Sequence, residues 1–484
     1  MTHEVLDSPG AGRKVIRGGG LRAGGYLVSI ALSIVAAPLL IRHLGVADYG
    51  RYLTVISLIT IVAGVSEAGL NALGLREHAL GDAESGRAAL RHLVGLRLTM
   101  TVAGVVLAVG FSLAADYTTA QVVGAGLAGL GLALVVVQET YAIPLQTSLR
   151  LGWVTAIEVL KQVGTVSAIA ALVLADAGLE PFFAVSIFAN GLALAVTAVV
   201  TRGQGGRAPG FDRAAWWSLV RDTIPFAVAT ALGIIYFRIT IVLLSLVSTE
   251  DQVGYFSAAF RIVEVLSGMP WLVVTAVFPI LVRAARDDPA RLRHAVGRLT
   301  QVAALTGAGL AIGLVLGAPF AIAVIAGEDF DPSIAVLRIQ AAAVLGTFLL
   351  ATWGYSLLSV RRYRALLAGN VVALVAAAAV TLALAPYMGA RGAAVATVVA
   401  EFTLACCYLA ALLGGPEDVR LEVRWLPAAL LAAAAAIAVP LALGLPALLA
   451  ALLGGVIYLA VLWVGRAIPP ELFEALPFRG RGTA

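Results

Sequence analysis

Residues 223–247 read TIPFAVATALGIIYFRITIVLLSLV, a run in which Arg238 is the one charged side chain. About 20 apolar residues are enough for a helix to cross the hydrocarbon core of a bilayer. At a rise of about 1.5 Å per residue, Arg238 falls near the middle of such a span. The stretch therefore predicts a membrane-spanning helix that carries an arginine at mid-depth.

The rest of the chain has the same apolar character. Of its 484 residues, 61% are hydrophobic and 13% are charged, and the mean hydropathy is +0.97. Soluble domains average about 45–50% apolar and about 25% charged residues. The composition excludes a soluble enzyme and predicts an all-α polytopic membrane protein.

Further apolar runs of similar length predict about fourteen transmembrane helices. Their short spacing leaves no room for an inserted soluble domain. One connection contains Asp288 followed by Pro289, which predicts a helix that starts with an N-cap and a proline at its first position. The runs cover residues 21–41, 52–70, 93–115, 119–143, 154–175, 181–201, 223–247, 253–281, 299–326, 333–359, 365–386, 392–413, 425–444 and 446–466.

The basic residues orient these spans. Of 33 lysines and arginines, 26 fall on one side, Arg97 among them. Arg42, Arg51 and Arg391 fall on the other side, and four lie within spans. Because cytoplasmic connections carry the excess of lysine and arginine, both termini are predicted to be cytoplasmic. We expect a multi-pass protein of the cell (inner or cytoplasmic) membrane, and the basic charge calls for no nucleic acid partner.

A weak internal repeat indicates two related six-helix bundles plus two C-terminal helices. Ser148, Arg150 and Gly178 recur as Ser359, Arg361 and Gly389 at an offset of 211 residues. A parallel repeat of this kind places the expected substrate cavity between the two bundles. The predicted organisation is a cytoplasmic N-terminal tail (1–20), an N-terminal bundle (21–201), a cytoplasmic linker (202–222), a C-terminal bundle (223–413), two additional helices (414–466) and a cytoplasmic C-terminal tail (467–484).

Charged residues inside the spans are the candidate site. Each costs about 2.5–3.5 kcal/mol at the bilayer centre on insertion scales, so each predicts either a function or a structural pair. Arg238 is the first candidate for substrate binding, because a guanidinium offers phosphate two parallel hydrogen bonds. Arg261 is the second. The candidates for ion coupling are Glu67, Glu139, Glu158, Lys161 and Glu264.

Some of these charges have a purely structural interpretation. Glu158 and Lys161, like Arg261 and Glu264, are three residues apart and share a helix face, where each pair can neutralise itself. Arg338 and Glu401 are placed near span ends, where a long side chain can reach the membrane surface.

Catalytic and metal-binding patterns are not found in the sequence. Cys406 and Cys407 are adjacent and cannot bridge each other, and the five histidines have no ligand spacing. Asp329 and Asp331 form an Asp-x-Asp pattern, but it sits in a short connection without a soluble domain. We therefore expect no catalytic residue, no metal, no cofactor and no enzyme activity.

Four stretches of the chain carry a resemblance to a known family. They are SIVAAPLLIRHLGVADYGRYLTVISLI (33–59) with SEAGLNALGLRE (66–77), IPFAVATALGIIYFRITIVLLSLVSTEDQVGYFSAAFRIVEVL (224–266), IAGEDFDPSIAVLRIQ (325–340) and APYMGARGAAVATVVAEF (385–402). Together they resemble the polysaccharide transporter (O-antigen flippase-like) family of the multidrug/oligosaccharidyl-lipid/polysaccharide exporter superfamily. In relatives, arginine, any residue and aspartate often follow one another in the seventh span. Here Ile239 and Thr240 follow Arg238, so the resemblance supplies no charge pair at this position.

The resemblance implies a flippase for undecaprenyl-diphosphate-linked oligosaccharide in surface polysaccharide (lipopolysaccharide-type) biosynthesis. Its partners would be the lipid-linked oligosaccharide, membrane lipids, and a polysaccharide polymerase or glycosyltransferases.

Two alternative functions lie within the same superfamily. A multidrug or cation antiporter commonly uses an acid in its first span, and residues 21–41 contain none. A lipid II flippase is expected to have buried arginines in its first spans, where Arg22 and Arg42 stand only at the edges. A polysaccharide polymerase or ligase would need a large outer loop.

Overall fold

A computed structural model describes residues 11–67, 69–80, 83–202, 208–221, 224–415 and 423–469. Part of each of the six predicted segments lies outside the described residues. These parts are residues 1–10 of the N-terminal tail, 68 and 81–82 of the N-terminal bundle, 203–207 and 222 of the linker, 223 of the C-terminal bundle, 416–422 of the segment with the two additional helices, and the C-terminal tail from residue 470.

The described residues form α-helices with one short 3₁₀ turn and no strand, so the predicted fold class is confirmed. Each predicted span lies largely within a helix, and the first two spans lie in the same one. In chain order the helices are α1 (Ala11–Glu67), α2 (Leu70–Leu80), α3 (Ala83–Ala114), α4 (Thr119–Thr147), α5 (Leu151–Leu174), α6 (Leu179–Val200), α7 (Arg213–Val220), α8 (Ile224–Val247), α9 (Glu250–Asp287), α10 (Pro289–Ile325), α11 (Pro332–Ser359), α12 (Tyr363–Met388), α13 (Ala390–Leu413), α14 (Leu426–Ala442) and α15 (Ala447–Val464).

Twelve helical segments of the described chain are long and apolar enough to cross a membrane. The difference from fourteen has two causes. The first segment, Gly20–Ala79, contains two predicted spans, and Leu426–Ala442 is too short to be counted. The two spans within α1 are separated at Gly45, whose φ of 69° and ψ of −177° are not helical. Because glycine has no Cβ, it adopts this positive φ without steric cost and lets the chain turn between the spans.

The chain forms two compact units, residues 1–238 and 239–484. In unit 1, α1 packs on α5, and α4 packs on both α3 and α6. Polar side chains join the helices at depth: the Gln138 amide donates to Thr197 Oγ1 at 3.2 Å. The Asn190 amide likewise donates to the Gly131 carbonyl at 3.2 Å. These bonds satisfy polar groups that have no water available in a membrane interior.

In unit 2, α11 is the central helix and packs on α9, α10 and α13. Asp288 accepts a hydrogen bond from the Arg291 amide at 3.0 Å and Pro289 begins α10, which confirms the predicted start of that helix. The hairpin of α14 and α15 packs on α10, where Tyr458 donates its hydroxyl to the Leu305 carbonyl at 2.9 Å. The two C-terminal helices are therefore an integral part of unit 2.

The turn between α4 and α5 in unit 1 recurs between α11 and α12 in unit 2. Leu149 and Arg361 both have a positive φ, 56° and 59° respectively. The structural offset between these residues is 212, so the predicted equivalence of Arg150 with Arg361 at an offset of 211 is wrong by one residue. Gly178 and Gly389, which are both N-caps, do stand 211 residues apart. The stretch from Arg361 to Gly389 is one residue shorter than the stretch from Leu149 to Gly178, which explains the change from 212 to 211.

Candidate functional site

Arg238 lies near the middle of α8 and is the last residue of unit 1. Its side chain is half-buried. The guanidinium carbon lies 5.6 Å from the centroid of the Phe237 ring, within the range of about 6 Å in which a cation is attracted to an aromatic face. The described geometry therefore keeps a positive charge at mid-helix with part of its surface accessible.

Arg261 and Glu264 form the ion pair that their spacing predicts. Arg261 Nη1 lies 2.8 Å from Glu264 Oε2, and the two side chains are 31% and 21% exposed. Both stand on α9 in unit 2. Because Glu264 compensates this guanidinium, Arg261 offers a substrate less net charge than a single arginine would.

Arg97 is a buried arginine whose burial the charge tally does not predict. The tally counts it on the cytoplasmic side, and the structure shows its side chain to be 1% exposed. Arg97 Nη2 donates to Glu139 Oε2 at 2.9 Å and Nη1 donates to Thr140 Oγ1 at 3.0 Å. The buried Nε has no hydrogen-bond partner among the described residues. Arg97 thus ties α3 to α4 inside unit 1.

A signal for this pair was present in the sequence. Arg97 stands at the start of the predicted span 93–115, and Glu139 stands near the end of the span 119–143. Because consecutive spans are antiparallel, both positions lie at the same depth, where opposite charges on neighbouring helices can meet.

Glu67 is the last residue of α1 and is exposed. It lies within electrostatic range of both Glu139 and Arg97, so the structure brings two of the predicted ion-coupling residues together. Among the described residues no cation lies within ion-pairing distance of Glu67, whereas Glu139 has Arg97. Arg97 therefore pairs with Glu139, and Glu67 stands near both without an ion pair of its own among the described residues.

Glu158 and Lys161 share a face of α5 as predicted but do not form an ion pair in the part of the chain that the structure describes. Glu158 is exposed and Lys161 is half-buried. The structure does not bring either residue into the cluster of Glu67, Arg97 and Glu139.

Glu401 is not near a span end, and that expectation is wrong. It lies in the middle of α13 and is 5% exposed. Thr347 Oγ1 lies 3.2 Å from its Oε2, and a Cβ at Gly346 of α11 would lie 3.1 Å from Glu401 Cβ, a tight contact. Arg338 is exposed near the start of α11 and donates to the Val315 carbonyl at 3.2 Å, as the structural interpretation expects.

The arginines described above can bind anions and the carboxylates can bind protons or cations, but the described residues do not form a set of metal ligands. Within the described ranges, no three His, Cys, Asp or Glu side chains come close enough together to hold a metal ion. The chemistry available at these sites is that of arginine with phosphate or carboxylate, and of carboxylate with a proton or cation.

A family model described as "Polysaccharide biosynthesis protein" matches residues 15–285, more than half of the chain. No curated protein sequence matches the chain.

Solved structures share the fold at low sequence identity. A lipid II flippase MurJ in an inward closed conformation is 12% identical, with a TM-score of 0.76, and the match covers 94% of this chain and 99% of MurJ. An inward-facing multidrug resistance MATE family transporter of the MOP superfamily is 15% identical, with a TM-score of 0.63 and 80% and 94% covered. The eukaryotic MATE transporter AtDTX14 is 16% identical, with a TM-score of 0.58 and 84% and 96% covered. At these identities the likeness establishes the fold.

Proposed function

Because this chain belongs to the polysaccharide biosynthesis protein family and has the fold of flippase-type transporters, we propose that it moves undecaprenyl-diphosphate-linked oligosaccharide across the cytoplasmic membrane for surface polysaccharide biosynthesis. The observation that carries the proposal is Arg238, a half-buried guanidinium at the middle of an apolar helix. We assign it to the diphosphate of the substrate.

The physical reason lies in the cost of moving a charged headgroup through the membrane. A diphosphate that leaves water loses hydration, and a guanidinium replaces it with charge-assisted hydrogen bonds that are stronger in a region of low dielectric constant. Arg261 assists as the second anchor, with Glu264 limiting its net charge. The isoprenoid tail stays in the lipid throughout, so the protein has to accommodate only the headgroup.

Transport is driven by an ion gradient or by the membrane potential, and the cluster in unit 1 favours Glu67 as the coupling residue. Glu139 has Arg97 as its partner, and Glu264 has Arg261. Glu67 is exposed and stands near a second carboxylate, so a proton or cation that binds there relieves the repulsion between like charges. Glu158 and Lys161 are the reserve candidates.

The same proposal places the protein in the cell membrane with both termini in the cytoplasm, because most arginines then face that side. It acts beside the enzymes that assemble and polymerise the glycan, with which it exchanges the lipid-linked oligosaccharide.

A lipid II flippase is the second candidate, since the fold match to MurJ extends over nearly the whole of both chains. A multidrug antiporter is third, because MATE transporters share the fold but the span over residues 21–41 has no acid for a cation.

Reconstituted transport separates the three candidates. The purified protein in liposomes is given lipid-linked oligosaccharide, lipid II or a fluorescent cationic drug, and the amount that crosses is measured with a reagent confined to one side. The proposal expects lipid-linked oligosaccharide to cross at a rate well above protein-free liposomes. Transport of lipid II alone or of the drug alone would replace it by the corresponding alternative.

A further inference from the structure

A cavity of about 700 Å³ lies in unit 2 where α9 and α11 end. Its lining includes three arginines, Arg283, Arg286 and Arg361, together with Asp287 and Ser359. Both helices end here on the side that carries most arginines of the chain, the predicted cytoplasmic side. The volume is within the usual range of about 300–1,000 Å³ for small-molecule sites.

The charges around this cavity do not cancel. Arg286 donates to Asp287 through Nε at 2.6 Å and through Nη2 at 3.1 Å, so these two side chains neutralise each other. The guanidinium groups of Arg283 and Arg361 bind no other side chain or carbonyl in the described part of the protein. All three arginines are exposed. Two uncompensated positive charges therefore face one concave space.

The turn that carries Arg361 does not require an arginine. In both units the turn is closed by the same backbone bonds: the Leu149 amide donates to Gln146 at 3.1 Å, and the Arg361 amide donates to Leu358 at 3.1 Å. Unit 1 places Leu149 in the left-handed conformation that Arg361 adopts in unit 2. A leucine can thus occupy this position, and the charge at 361 is an addition that the fold does not need.

We propose that this cavity binds the phosphate of a lipid headgroup at the cytoplasmic face, before the headgroup crosses the membrane. Arginine suits the role because its planar fork forms two charge-assisted hydrogen bonds with phosphate oxygens. Two sources share this chemistry, the diphosphate of the lipid-linked sugar and the phosphate of an anionic phospholipid. The first source rests on the proposed function, while the second does not.

The test measures binding and involves no transport. The full-length protein is placed in nanodiscs of phosphatidylcholine and titrated with inorganic diphosphate by calorimetry. Arg361→Leu should weaken diphosphate binding about tenfold, the effect of losing one charge-assisted contact, and Arg283→Gln combined with it should weaken binding further. Arg364→Gln is the matched control, because Arg364 is an exposed arginine in the first turn of α12, three residues after Arg361, and does not line the cavity.

A second arm identifies the source of the phosphate. The same variants are purified from membranes that contain phosphatidylglycerol, and the retained lipid is counted by native mass spectrometry. If the parent binds no diphosphate but retains phosphatidylglycerol, and Arg361→Leu loses that lipid, the cavity is a phospholipid site.

The proposal is overturned if the parent binds neither probe, or if Arg361→Leu and Arg364→Gln reduce binding equally. In the second case the arginines would serve only to orient the helices in the membrane. Arg361→Gln repeats the measurement should the leucine variant fold poorly. A protein that flips no lipid-linked sugar can still bind diphosphate here, so failure of the proposed function and failure of this site are distinguishable.

Discussion

Arg97 on α3 and Glu139 on α4 form an ion pair at 2.9 Å in which the arginine is 1% exposed and the glutamate 31% exposed. The guanidinium is thus shielded while its partner reaches the protein surface. The packing of α3 on α4 therefore depends on this pair, because a buried guanidinium without its partner is destabilising.

Removing the arginine should therefore destabilise unit 1. Loss of one partner of a buried pair costs about 3–5 kcal/mol, and the exposure of Glu139 places Arg97→Met near the lower end, at about 3 kcal/mol. Combining it with Glu139→Gln should recover part of the loss, because no unpaired charge is left. Thermal unfolding in detergent measures both variants. Strictly additive losses in the double variant would show that the pair is not coupled.

Glu67 should control the coupling of transport to protons or cations. Glu67→Gln removes the carboxylate that stands beside Glu139 and Arg97, so flipping should lose most of its dependence on pH or on the driving cation. The measurement is the rate of flipping in liposomes with and without an imposed gradient. Glu77→Gln, on the neighbouring helix α2, is the control and should keep the dependence. If Glu67→Gln keeps it as well, Glu158→Gln is tested next, and a normal response there would leave the membrane potential as the driving force.

The orientation of the chain can be tested with single cysteines. The native Cys406 and Cys407 are first replaced by serine, since Cys406 is exposed. A cysteine at Asp116 or Glu250 should then react with a membrane-impermeant maleimide added to whole cells, whereas a cysteine at Arg293 should react only after the cells are opened. Reversed labelling would contradict the assignment of both termini to the cytoplasm.

Gly389 and Gly178 should respond differently to alanine although both precede the last helix of their six-helix repeat. Gly389 has a φ of 55°, and a Cβ there would lie 2.3 Å from Gln252 Oε1, which accepts a hydrogen bond from the Ala390 amide. Gly178 has an ordinary φ of −68° and open space around it. Gly389→Ala should cost about 1–3 kcal/mol in the free energy of unfolding, whereas Gly178→Ala should be neutral. Equal effects of the two substitutions on thermal unfolding would contradict this difference.

Hydropathy and charge placement were sufficient to predict the helices of this protein, because a membrane imposes their length and apolar character. Residue spacing within one helix also predicted the Arg261–Glu264 pair. It could not predict that Glu158 and Lys161 stay apart, since sharing a face does not determine rotamers or neighbours. Contacts between helices were harder to predict: residue spacing gave no sign that Arg97 is buried, and it placed Glu401 near a span end. Both residues owe their burial to partners on another helix, Glu139 and Thr347, and the register between helices is set by packing that a single sequence does not display.

We assign Arg238 to the headgroup phosphates of the substrate. The measurement that tests this assignment is the rate of flipping of lipid-linked oligosaccharide per molecule of folded protein in the membrane. Arg238→Ala should lower the normalised rate about tenfold or more, because a charge-assisted contact at low dielectric constant is lost. Arg238→Lys keeps the charge without the fork and should fall between alanine and the parent. Arg338→Ala, which removes an exposed arginine near the start of α11, should leave the rate unchanged. A normalised rate for Arg238→Ala equal to that of the parent would contradict the claim and make Arg238 a structural residue.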